Sequence, residues 1–99
     1  MKWADYGISA VRYDRQRVQI IRVKVHPDKG DMLGPPNEYD RTTILDALRR
    51  GVSFVTITAD EGNWHKGEPV MVLTLKDSLF LRTDQDEVAH DELARVPEF

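Results

Sequence analysis

Apolar positions near the start of the chain recur at the spacing of extended backbone. Ile8-Ser9-Ala10-Val11-Arg12-Tyr13 predicts a first strand, and Asp14-Arg15-Gln16-Arg17 is a polar turn of hairpin length. Between Val18 and Val25 five of eight residues are Val or Ile, whose branching at Cβ favours a strand. Val18 and Ile20 share one parity and Ile21, Val23 and Val25 the other, so one extra residue, a bulge near Ile20-Ile21, is needed to keep a single apolar face. Residues 27 to 39 hold three prolines and two glycines and read as a long surface loop.

The pattern then changes period. Asp40 caps a predicted helix to Arg50 whose apolar residues Ile44, Leu45, Ala47 and Leu48 share one face, and Gly51 supplies a left-handed stop. Ser53 to Ala59 alternates as a strand, Asp60 to Pro69 reads as a polar loop around Trp64, and Val70–Leu75 and Leu79–Arg82 read as strands joined by a tight turn at Lys76-Asp77-Ser78. In the acidic tail, Ala89, Leu93 and Val96 allow either a short helix or an anchored loop before Pro97. The predicted fold is α+β in the order β-β-α-β-β-β, a mostly antiparallel sheet of about five strands with one covering helix, in a single domain over 1–99.

Composition narrows the function classes. Ninety-nine residues with 40% hydrophobic and 31% charged side chains describe a small globular domain with little interior for a buried reaction chamber. The absence of cysteine excludes disulfides, thiolate metal sites and cysteine nucleophiles. No apolar run approaches the roughly 20 residues that span a bilayer, and Met1-Lys2-Trp3-Ala4-Asp5 lacks the apolar core of a signal peptide, so the expected location is the cytoplasm. The net charge of −3 is unevenly spread: residues 1 to 50 carry 10 Lys/Arg against 7 Asp/Glu, and residues 51 to 99 carry 4 against 10.

Phe80-Leu81-Arg82-Thr83-Asp84, Asp91-Glu92-Leu93 and Val96-Pro97-Glu98-Phe99 resemble a family of small bacterial domains of unknown function. Its members end in an aromatic-Leu-Arg-Thr strand, an Asp-Asn-Leu step and a Leu-Pro-x-Phe close. Ile8-Ser9-Ala10-Val11-Arg12 and the helix ending in Arg50-Gly51 are also similar to it. Glu92 replaces the usual Asn, and the loop from Pro27 to Tyr39 is longer than usual. The resemblance implies a bacterial, phage or plasmid origin and brings no activity with it.

His26-Pro27-Asp28 looks like the signature by which J-domain co-chaperones engage their chaperone, but there the tripeptide follows a long amphipathic helix. Here it follows the β-branched run Val18 to Val25, which argues against that reading. His26, His65 and His90 show no paired ligand spacing, and the acidic residues of the tail read as a solvated face. No cofactor or metal is therefore implied.

Binding surfaces are better marked. Trp64, with His65 and Lys66, has the character of an interface anchor, as do Pro35, Pro36 and Tyr39 in the proline-rich loop. Arg12, Arg15, Arg17, Arg22 and Lys24 gather positive charge on the first hairpin beside Tyr13, a pattern that follows phosphates or pairs with the acidic tail. Hairpins at both ends of the chain imply at least one sheet edge to be covered or charged; Arg12, Arg22 and Lys24 are the expected protection of a monomer, and failing that, edge pairing makes a homodimer. The leading expectation is a non-enzymatic protein-interaction module, in one form a phage- or plasmid-encoded inhibitor of a host complex. A nucleic-acid accessory protein, and a small enzyme subunit with a site at an oligomer interface, are the alternatives.

Overall fold

A computed structural model describes residues 2–99. The chain runs β1 (Tyr6–Tyr13), β2 (Ile20–Pro27), β3 (Asn37–Asp40), α1 (Arg41–Arg49), β4 (Phe54–Asp60), β5 (Asn63–Pro69), β6 (Met71–Leu75) and β7 (Ser78–Arg82). It is α+β: five strands form one sheet in the order β3-β2-β1-β4-β5, and β6-β7 form a separate two-stranded sheet. Among the described residues, the ladders between these strands are antiparallel except β1 with β4, where Tyr6–Ile8 runs alongside Phe54–Thr56. β3 therefore runs in the same direction as β4, and α1 is the crossover between them. It lays its apolar stripe on the sheet.

The first hairpin follows its pattern closely. Arg12 pairs with Arg22 and Tyr13 with Ile20, leaving Ile21 without an opposite residue. The bulge lies where the parity changed. It turns Ile21 outward, 42% exposed, while Ile20, Val23 and Val25 are buried. A second bulge, at Ser9, was not foreseen.

The core forms where α1, the helix-facing side of the sheet and the β6-β7 hairpin meet. Ile8, Val11, Val23, Val25 and Phe54 pack with Ile44, Leu45 and Ala47, and Val70, Leu81 and Leu93 join the same cluster. The helix ends as its sequence implies. Asp40 accepts from the Thr43 N–H at 2.9 Å, Gly51 has φ +91°, and Val52 N–H reaches Ala47 O while Gly51 N–H reaches Leu48 O. That last pair of bonds is a Schellman stop.

Two segments read as loops are strands. Asn37–Asp40 is a short edge strand on β2, and Asn63–Pro69 pairs along β4 through the two-residue turn Glu61-Gly62. A polar sequence becomes strand here because the largely buried β4 offers it a ladder of hydrogen bonds. The β4-β5 register slips between Val55 and Ile57, and the backbone at Gly67 comes so close to Thr56 that a Cβ there would lie 2.2 Å from its hydroxyl oxygen. Val18, read as strand, precedes β2. The tail after Arg82 is an anchored extended segment rather than a helix: Glu92 N–H bonds Leu81 O, Asp91 N–H bonds Val18 O, and Pro97 and Phe99 bond Val11 on β1.

The expected edge protection is misplaced. Arg12, Arg22 and Lys24 lie on β1 and β2, which are interior strands; the sheet edges are β3 and β5. Among the described residues, no helix is long and apolar enough to cross a membrane.

Candidate functional site

The C-terminal motif residues build a buried polar clasp. The Asp91 side chain, fully buried, accepts from Ile20 N–H and Leu81 N–H at 2.8 Å each, and from Arg41 Nε at 2.7 Å. It thereby ties β2, β7 and α1 to the tail. Arg82, 2% exposed, binds Asp84 through both Nε and a terminal nitrogen, and reaches His90 O at 3.3 Å. Thr83 Oγ1 accepts Ala94 N–H at 3.1 Å. Asp91 and Arg82 spend their donors and acceptors on their own chain, so the buried part of this cluster holds the fold, with the half-exposed Asp84 carboxylate at its rim.

The basic hairpin is also largely engaged from within. Arg12 donates to Phe99 O at 2.8 Å and lies over the Phe99 ring, and the Lys24 ammonium is 4.7 Å from the same ring. Arg17 pairs with Glu98 and stacks on Tyr13, while Arg22 is 3.9 Å from Glu38. Arg15 stands exposed in the turn. Three of these five cations thus contact the acidic tail.

The His26-Pro27-Asp28 string ends a strand, and its polar groups are structural. His26 is 6% exposed, with Nδ1 3.0 Å from Gly34 O and Nε2 2.8 Å from Ser9 Oγ. Because a carbonyl can only accept, Nδ1 carries a proton, and the Ser9 hydroxyl, which can both donate and accept, satisfies Nε2. Sequence reasoning did not connect Ser9 with His26; the bulge that turns Ser9 toward β2 leaves no simple spacing to read. A serine and a histidine so placed have the reach of nucleophile and base. However, none of the hollows described below is lined by either, and the pair joins the bulge to the β2-β3 loop. Among the described residues no group of three or more His, Asp or Glu is placed to hold a metal ion.

Asp28 accepts from Trp3 N–H at 2.8 Å, Ala4 N–H at 3.4 Å and Gly30 N–H at 2.9 Å. Burial opposes its charge, but the N–H bonds from Gly30, Trp3 and Ala4 outweigh that and hold its pKa below the ordinary value. Asp28 also bridges to Leu33 and Gly34 N–H bonds Pro27 O at 2.8 Å, so the start of the proline-rich loop is a miniature hairpin. Asp5 and Ser53 fix the other side of the N-terminal segment by exchanging bonds of 2.8 to 3.1 Å.

These constraints bring Trp3, the Asp28–Leu33 hairpin and the β4-β5 turn together around an open cleft of about 510 Å³. Trp3 and Trp64 line it with Met32 and Leu33, and Asp28, Asp31 and Asn63 supply the polar atoms. Trp3 is 38%, Trp64 37% and Met32 61% exposed. The Trp64 ring leans on His26 at a 60° tilt with centroids 5.0 Å apart, so the indole is partly anchored while more than a third of it stays exposed.

The remaining binding candidates do not join this cleft. His65 and Lys66 are exposed further along β5, and Pro35 and Pro36 are exposed ahead of β3. Tyr39 lines a smaller hollow of about 170 Å³ between α1 and the sheet, with Tyr6, Ile44 and Phe54. Tyr39 and Trp64 are thus on opposite faces and opposite edges of the main sheet. Trp3, Met32 and Leu33, not singled out from the sequence, are the residues that complete the cleft. Comparison of the chain with models of protein families, with curated proteins and with solved structures finds no match.

Proposed function

We propose that this chain is a non-enzymatic protein-interaction module that takes a segment of a partner protein into the Trp3–Trp64 cleft. The observation that carries the reading is convergence: three exposed large apolar side chains, from segments far apart in sequence, line one cleft. Indole rings in such a setting are the side chains that most often dominate binding energy between proteins. Asp31 in the cleft, with Asp60 and Glu61 in the adjoining turn, favours a segment in which a large apolar residue neighbours Lys or Arg. An inhibitor of a host complex, carried by a phage or plasmid, is one form of this reading, supported by small size and net charge −3.

The test is selection of peptides from a random displayed library on the wild-type chain, with Trp64→Ala as the counter-selection bait. Sequences pairing a large apolar residue with Lys or Arg should be enriched. Their affinity should fall at least about tenfold, roughly 1.4 kcal/mol, on Trp64→Ala or Trp3→Ala. Equal recovery of every sequence on wild type and Trp64→Ala would refute the proposal.

A further inference from the structure

β5 is an outer strand. Among the described residues, only β4 shares a ladder with it, and no main-chain hydrogen bond reaches Asn63–Lys66 from elsewhere in the chain. The geometry of the β4-β5 turn says which of its main-chain groups face outward. Glu61 and Gly62 have φ of 50° and 81°, both left-handed, as a two-residue hairpin turn requires. Such a turn closes on a hydrogen-bonded pair, here Asp60 with Asn63. Bonded and non-bonded pairs alternate along an antiparallel ladder. Thr58–His65 is therefore bonded, whereas Ala59–Trp64 and Ile57–Lys66 are not. The N–H and C=O of Trp64 and Lys66 point away from β4.

Beyond Lys66 this edge closes. The register slip turns Glu68 N–H inward to Thr56 Oγ1 at 2.9 Å, and Pro69 has no N–H to offer. What faces outward is a short, self-complementary template: Trp64 and Lys66, with His65 between them.

We infer that two copies of this chain pair edge to edge through β5, antiparallel, with His65 on the two-fold axis. In that register Trp64 of each copy lies opposite Lys66 of the other. Both residues of each pair then bring outward-facing groups, as a hydrogen-bonded pair needs, giving up to about four main-chain bonds. Shifting the axis by half a residue pairs Trp64 with His65, whose groups already bond β4, and those bonds are lost. Side chains directly opposite share a face, so each Lys66 ammonium comes beside the Trp64 indole of the other copy, a cation–π arrangement. The two His65 residues form the close, non-bonded pair between them, with Cα atoms about 4.5 Å apart. The other sheet edge, β3, is four residues long and carries Glu38 and Asp40, which suits it to remaining single. This inference rests on the main-chain groups of β5, so its test stands whether or not the cleft takes a partner segment, although the Trp64 indole serves both.

The chain has no cysteine, so His65→Cys places a single thiol on the proposed axis. Mild oxidation should convert most of it to a disulfide-linked species of twice 11.4 kDa. Asn63→Cys, whose thiols would lie about 14 Å apart across the axis, should not cross-link beyond the level of random collision. Sedimentation of the unmodified protein should show its mass doubling as concentration rises. Lys66→Pro, which removes an outward N–H while leaving the β4 ladder intact, should return it to 11.4 kDa with an unchanged circular dichroism spectrum. A mass of 11.4 kDa up to the solubility limit, equal cross-linking of the two cysteine variants, or a folded Lys66→Pro that still dimerises would overturn the inference. If Lys66→Pro does not fold, the two cysteine variants decide the question.

Discussion

The clasp around Asp91 and the cleft around Trp64 are both assembled from residues distant in sequence, and both include short strings that attract attention as motifs. They differ in where their chemistry points. Asp91 and Arg82 are buried charges whose partners are all supplied by the chain, from Ile20, Leu81, Arg41, Asp84 and His90. The cleft exposes two indoles and a methionine whose apolar area meets solvent, over a floor that Asp28 holds in place. Satisfied polarity in the interior marks a structural device, and unsatisfied apolar surface on a well-fixed frame marks a place for something else to bind.

The largest effect on stability should come from the clasp. Asp91→Ala removes the acceptor for two main-chain N–H groups and leaves Arg41 without its buried counter-charge, which should cost about 3–5 kcal/mol in a urea unfolding experiment. A loss of only a few tenths of a kcal/mol would mean that the clasp is incidental to the fold. Next, Gly67→Ala should destabilise by about 1–3 kcal/mol, because its Cβ would meet the Thr56 hydroxyl at 2.2 Å and the Thr56 carbonyl oxygen at 2.9 Å. It should also disturb the register that positions β5, seen as shifted amide resonances from Thr56 to Glu68.

Lowering the pH probes both regions together. Hydrogen bonds from Thr43 to Asp40 and from Arg82 to Asp84 hold those carboxyls below their ordinary value of 3.8, and Asp28 is lowered as described above. A depressed folded-state value gives stability that is fully present above the unfolded value and is lost as pH falls through the folded one. The thermal midpoint should therefore stay nearly level from neutrality down to about pH 5 and drop below about pH 4. In Asp28→Asn that acid-side drop should be shallower. A midpoint that falls already between pH 7 and 5 would contradict this account.

The smallest effect on stability should come from Trp64→Ala, about 1 kcal/mol for the lost contact with His26. It should nevertheless have the largest effect on binding. This inversion between stability and binding is what separates the two regions.

The parts of the fold that were legible in sequence are those in which local chemistry and burial agree. Asp40, the apolar stripe from Ile44 and the glycine at Gly51 each specify α1 separately, and the change of parity at Ile20-Ile21 locates the bulge. β5 was hidden because Asn63-Trp64-His65-Lys66 has the composition of a loop, and only pairing with β4 makes it a strand. β3 was hidden behind Pro35 and Pro36. Trp64 stood out by itself, but no spacing rule links it to Trp3, Met32 and Leu33, which the folded chain alone brings together. For the basic hairpin, pairing with the acidic tail was readable as one of two options; the contacts of Arg12, Lys24 and Arg17 with Phe99 and Glu98 now give it form.

The central claim is that the Trp3–Trp64 cleft binds while the clasp only stabilises. Its most direct test is titration of a library-selected peptide against wild type, Trp64→Ala and Gly51→Ala, the last a control that weakens the fold at the end of α1, where φ is +91°, at a residue that does not line the cleft and whose added Cβ would meet nothing within 4 Å. The account predicts that Trp64→Ala loses at least about tenfold in affinity while Gly51→Ala binds as wild type does, although it is the less stable of the two. Equal affinity for wild type and Trp64→Ala, or a loss that follows stability rather than the cleft, would contradict it.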